Sequence, residues 1–153
     1  MSASFYRGIL NTSFKTALYN NRNILGISCK DYSNAFSEKT WIGTMLCGPS
    51  CVIATHLLQQ NNINNIKIYM NKRGFGEIYE DHVFITINDI MIDPTFKQFL
   101  KKKDYSEDFY VGDREHLEKI VNYYGDDDQT MRHWEPSIDI TNKVQNFISN
   151  NKI

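Results

Sequence analysis

A thiol at the start of an apolar stretch, then an imidazole and a carboxylate on a short alternating run, are the residues of this chain suited to chemistry. The thiol is Cys47 in Gly43-Thr44-Met45-Leu46-Cys47-Gly48-Pro49-Ser50-Cys51. The imidazole is His82, after Asp81, and the carboxylate is Asp93 in Ile92-Asp93-Pro94-Thr95. In that order they are the parts of a thiol hydrolase: nucleophile, general base, and a group to orient the base.

The thiol needs a helix. From Ser50 to Gln60 the chain is mostly apolar or helix-tolerant, with Val52, Ile53, Leu57 and Leu58 at helical spacing. Pro49 suits a first helical turn, where its missing N–H has no partner to lose. Cys47 and Gly48 are therefore predicted at the helix mouth, where the positive dipole end and free N–H groups favour a thiolate. Gly48 leaves room for a substrate backbone, and the N–H groups there suit an oxyanion hole. Cys51, one turn further in, reads as core packing, with a disulfide to Cys47 as the lesser alternative.

The imidazole and carboxylate need a hairpin. Val83, Ile85 and Ile87 alternate with His82, Phe84 and Thr86, and Ile90 and Ile92 alternate with Met91 and Asp93. A two-residue turn at Asn88-Asp89 sets Ile87 opposite Ile90 and Phe84 opposite Asp93. His82 and Asp93 then share a face, on a diagonal of roughly 7–8 Å. A one-residue slip would turn Ile90 and Ile92 away from the core. The His82 face is expected to be exposed. Bringing Cys47 to His82 requires the helix to pack on the sheet with its N-terminus at the His82 end.

Cys-Gly-Pro-Ser-Cys opening a helix, followed by His-Val-Phe-Ile-Thr-Ile and Ile-Asp-Pro-Thr, resembles the papain-like and transglutaminase-like cysteine hydrolase superfamily. The Cys-Gly-Pro opening is similar to that of bacteriocin-processing double-glycine peptidases. The segment from His82 to Thr95 looks like transglutaminase cores and papain-like effector glutamine deamidases. The resemblance covers roughly residues 41–100. It implies an α+β, papain-like fold, with the Cys helix packed on an antiparallel sheet that carries His and Asp. It also implies Cys47 as nucleophile, His82 as general base and acid, and Asp93 as the orienting residue. Papain and the double-glycine peptidases place a Gln six residues before the Cys as an oxyanion donor. Here that position is Trp41, and no Gln precedes Cys47. Transglutaminases use an indole N–H for this task, so Trp41 is the substitute that the resemblance offers.

The remaining chain supplies scaffold. The 153 residues are read as one domain, 1–153, large enough for a real core. Phe5, Ile9, Phe14 and Leu18 predict a helix over 3–19. Residues 20–37 read as a connector with a short buried segment, and Cys29 as a packed thiol. Ile66, Ile68 and Met70 predict a strand, and residues 73–77 a loop or bulged strand beside the site. Phe96–Leu100 reads as helical. Asp113 is a predicted N-cap for a helix through Tyr124, and Ser137 for a helix through Ile148. His133-Trp134-Glu135-Pro136 reads as a turn, and His116 and His133 as surface residues.

A net charge of −1 gives no signal for nucleic acid or anionic membrane. Three cysteines, an odd number, suggest a reducing compartment. No apolar run approaches the ~20 residues of a membrane span, and no signal peptide opens the chain. The expected location is cytoplasmic, or a host cytosol for a delivered effector. Lys101-Lys102-Lys103 reads as a solvated helix end. Asp126-Asp127-Asp128 lacks the spacing of a calcium loop, and a zinc site of Cys47, Cys51 and His56 lacks an evident fourth ligand. No metal or cofactor is expected. The expected chemistry is amide hydrolysis on a protein or peptide substrate. Peptidase is preferred to glutamine deamidase or transglutaminase, and an inactive binding module is the reading from another class.

Overall fold

The structure is a computed structural model and describes residues 2–35, 46–75, 78–101, 105–125 and 131–153. Trp41, the lead-in to Cys47, Gly76-Glu77, Lys102-Lys103 and Asp126–Asp128 lie outside the described residues. The architecture is α+β, with a five-stranded antiparallel sheet and helices at both ends. The helices are α1 (Ala3–Asn20), α2 (Cys29–Ala35), α3 (Cys47–Gln60), α4 (Arg114–Tyr124) and α5 (Thr141–Asn151). The strands are β1 (Ile66–Phe75), β2 (Ile78–Ile87), β3 (Ile90–Asp93), β4 (Tyr110–Gly112) and β5 (Ile138–Asp139), in the order β4-β3-β2-β1-β5.

Side chains of period two give the sheet two distinct faces. Ile66, Ile68, Val83, Ile85, Ile87 and Ile92 build one core with α1, α3 and α5. In α1 the buried positions Tyr6, Leu10, Phe14 and Leu18 recur every fourth residue, which is one helix face. Leu57 and Leu58 of α3 and Val144 and Ile148 of α5 complete the layer. The β2–β3 hairpin has the predicted register, Ile87 with Ile90 and Ile85 with Ile92. Its turn places Asn88 at φ 54°, a left-handed conformation that Asn tolerates.

The opposite face is covered, not exposed as expected. Phe84, Met91 and Tyr110 pack there against Phe96, Leu100, Leu117, Ile120, Val121 and Trp134. Phe84 and Met91 make this face apolar enough to need a cover, and the cover arrives from α4 and the chain after it. His82 and His133 are consequently buried, the latter against the surface assignment.

Other boundaries moved for local reasons. α3 begins at Cys47 itself, so Pro49 is its third residue, still within the first turn. β1 runs through to Phe75, because its pairing with β2 continues as far as Ile78, so of the segment read as a loop or bulged strand, residues 73–75 are strand. Phe96–Phe99 forms a single 3₁₀ turn. Tyr110–Gly112 adds an edge strand that the mixed aromatic and acidic sequence did not signal. Asp113 caps α4 as predicted, accepting from the His116 N–H at 2.7 Å. α5 starts later than Ser137, because Asp139 accepts from both the N–H and the hydroxyl of Thr141. Cys29 is exposed, not packed. No helix among the described residues is long and apolar enough to cross a membrane.

Phe14 is wholly buried, with its ring edge-on to Phe109 at 5.0 Å. Phe14→Ala should lower stability by about 3–5 kcal/mol, the usual effect of emptying a large core site. Urea denaturation reads it, and a loss below about 1 kcal/mol would mean that α1 does not dock on the sheet as described.

Candidate active site

β3 stops at Asp93, while β1 and β2 run on beyond it. At that step in the sheet the carboxylate meets the imidazole. The hairpin register, carried one position further, sets Phe84 opposite Asp93 and His82 on the diagonal. The side chains close the gap: His82 Nε2 lies 2.6 Å from Asp93 Oδ2. Both groups are dry, at 1% and 0% exposure.

A buried carboxylate needs donors on both oxygens. Oδ1 accepts from the Thr95 N–H at 2.9 Å and, more distantly, from the Thr95 hydroxyl at 3.4 Å. Oδ2 accepts from the Trp134 indole N–H at 2.6 Å, alongside His82. Trp134 is fully buried and stands edge-on to the His82 ring at 5.8 Å. Phe99 meets the same ring edge-on at 4.7 Å and stacks on His133 at 4.0 Å. The imidazole is thus held between aromatic walls, with its Nε2 committed to Asp93.

Nδ1 of His82 is buried and has no hydrogen bond of ordinary geometry. Cys47 is the neighbour left for it, close enough that its thiol and charge act on the ring's protonation. The helix therefore does pack with its N-terminus at the His82 end. Cys47 is half-buried. Among the described residues, a Cβ added at Gly48 would meet nothing within 4 Å.

The electrostatics follow from this packing. Burial by itself pulls the His82 ring below its ordinary value. The Asp93 charge and hydrogen bond, reinforced by Cys47, outweigh it and hold the ring at about 9. An imidazolium therefore persists at neutral pH beside the Cys47 sulfur. Cys51 differs. Its thiol is wholly buried, lies 3.4 Å from the Val83 carbonyl oxygen, and is pushed well up by burial and by the Asp93 and Cys47 charges. It is a packed thiol, and Cys47 and Cys51 are not joined.

Cys47, His82 and Asp93 are thus brought together, and Gly48 adjoins them. Trp41 lies outside the described residues. Sequence reasoning missed Trp134, Thr95 and Phe99. Thr95 was legible, since an Asp two residues before a Thr commonly accepts its N–H. Trp134 carried no local signal. A cleft of about 410 Å³ is lined by Phe84, Met91, Asp113, Arg114 and Trp134. Cys47, His82 and Asp93 do not line it. No protein-family model, curated protein or solved structure matches the chain.

Because the His82 value is raised on folding, its contribution to stability is complete below about 6.5 and is lost as pH rises through about 9. NMR titration of the His82 ring should show the late midpoint. In Asp93→Asn the carboxylate's support is gone and burial dominates, so the midpoint should fall below 6.5. An unchanged midpoint would refute the pairing. Trp134→Phe, which keeps most of the apolar volume but removes a donor from a buried anion, should lower stability by about 1.5–3 kcal/mol in chemical denaturation.

Proposed function

We propose that this protein is a thiol-dependent amide hydrolase of papain-like architecture, acting as a cysteine peptidase, with Cys47, His82 and Asp93 as its triad. One observation carries the reading. A half-buried thiol on the first residue of a helix adjoins an imidazole whose far nitrogen is held by a dry carboxylate. That relation supports Cys47 as nucleophile, His82 as base and Asp93 as orienter in acyl transfer.

The chemistry runs as follows. The Cys47 thiolate adds to an amide carbonyl carbon, and the carbonyl π pair moves onto oxygen. The adduct collapses, the C–N bond breaks, and the amine leaves with the proton from His82. A water molecule gives a proton back to His82 and adds to the thioester, releasing the acid and the thiolate. Asp93 keeps the ring oriented and stabilises its charged form. Backbone N–H groups at the start of α3 are the nearest donors for the oxyanion. The Cys-Gly-Pro opening favours a peptide bond over a glutamine side chain as the bond broken. No metal or cofactor enters this scheme.

Alkylation tests it. Cys29 is exposed and would label on its own account, so the comparison belongs in a Cys29→Ser background. Iodoacetamide near neutral pH should modify Cys47 at least about tenfold faster than an ordinary thiol, with Cys51 protected. His82→Ala should abolish that advantage. Slow, equal labelling of Cys47 and Cys51 would favour a binding module without catalysis. Incubated with a proteome, the protein should generate new peptide termini that Cys47→Ser does not. Glutamine-to-glutamate conversion without new termini would instead assign a deamidase, and glutamine–lysine crosslinks a transglutaminase.

A further inference from the structure

Asn71 of β1 stands directly across from His82 of β2. Cross-strand partners share a face, with Cβ atoms about 4.5–5.5 Å apart. Asp93, at the end of β3, reaches His82 from one side, and β1, with Asn71, borders it on the other. Asn71 is 3% exposed. Its Oδ1 accepts from the Ser137 hydroxyl at 3.3 Å, while its Nδ2 has no hydrogen-bond partner among the described residues. A primary amide nitrogen carries two donors, and a buried polar atom without a partner is rare in folded proteins. Asn is also a poor strand former. Packing alone would favour Val or Ile at this position. Ser137 lies just before β5, which pairs along β1, and by holding Oδ1 it fixes which way Nδ2 points.

We propose that Asn71 is a substrate contact of this site, its Nδ2 donating to the acyl oxygen of a peptide or carboxamide as Cys47 adds. This rests on the acyl-transfer reading above. As the S–C bond forms, the carbonyl π pair moves onto oxygen, and the Nδ2–H bond strengthens with the growing charge. On collapse the pair returns, the C–N bond breaks, and the amine leaves with the His82 proton. Because the amide is buried and its Oδ1 is held by Ser137, the donor needs little reorganisation at that moment.

Two probes separate the inference from the reading beneath it, both applied to the full chain in the Cys29→Ser background. Iodoacetamide alkylates the thiolate at a saturated carbon and forms no oxyanion. p-Nitrophenyl acetate acylates it through a tetrahedral oxyanion and releases p-nitrophenolate. Losing an oxyanion donor typically costs 10²–10³-fold in rate, and an activated ester needs less help. Asn71→Ala and Asn71→Asp should therefore slow acylation of Cys47 by about 10–10²-fold, with alkylation held within about twofold. Ser137→Ala, at an exposed residue, should slow acylation a few-fold, again without touching alkylation, and reports even where an Asn71 variant loses its fold. Normal acylation in Asn71→Ala, or an equal loss with both probes, overturns the assignment. A wild-type Cys47 that reacts with neither probe sinks the acyl-transfer reading and this one with it.

Discussion

A carboxylate with no exposed surface governs this structure. Asp93 is an anion taken wholly out of water, and an unpaired buried charge is among the least tolerable features of a folded protein. It is tolerated here because four groups turn toward it: the His82 ring, the Trp134 indole and both donors of Thr95. Each belongs to a different part of the fold, or to the turn that ends β3. The hairpin supplies the ring, the chain just past β3 supplies Thr95, and the segment between α4 and β5 supplies the indole. Satisfying one charge therefore ties the sheet to the cover on its second face.

The same carboxylate sets the character of the imidazole. Burial and charge oppose each other at His82; burial is the largest single effect, and the Asp93 charge and hydrogen bond together with Cys47 outweigh it. Aromatic neighbours sharpen the contest, since they remove water that would otherwise weaken both effects. The nitrogen pointing away from Asp93 is left to the sulfur at the start of α3. Helix, hairpin and cover each constrain one edge of a single ring, which leaves it little freedom to turn.

Much of this could be read from residue order. The hairpin was legible because alternation has a fixed period and a slip by one residue would have exposed Ile90 and Ile92. That register alone put His82 and Asp93 on one face. The mouth of α3 was legible from Pro49 and the apolar run after it. The second side of the sheet was not. Phe84 and Met91 hinted that it needed covering, but nothing local said that Trp134 would do it. His133 looked like a surface residue for the same reason. Asn71 passed unremarked because its place beside His82 lies across the strand pair, and a cross-strand partner is visible only once the register of β1 is known. Cys29 erred the other way. Thiols are usually packed, and this one sits at the exposed start of a short helix.

Trp134 reaches the carboxylate from a turn that follows α4, late in the chain. A nascent polypeptide that has left the ribosome as far as Gly125 already carries sulfur, ring and carboxylate, yet lacks the indole that lets the anion stay dry. Water would still reach Asp93 in such an intermediate and loosen its hold on the ring. The Asp93–His82 pair therefore reaches its dry, fully bonded form only after the turn that carries Trp134 has docked on the sheet.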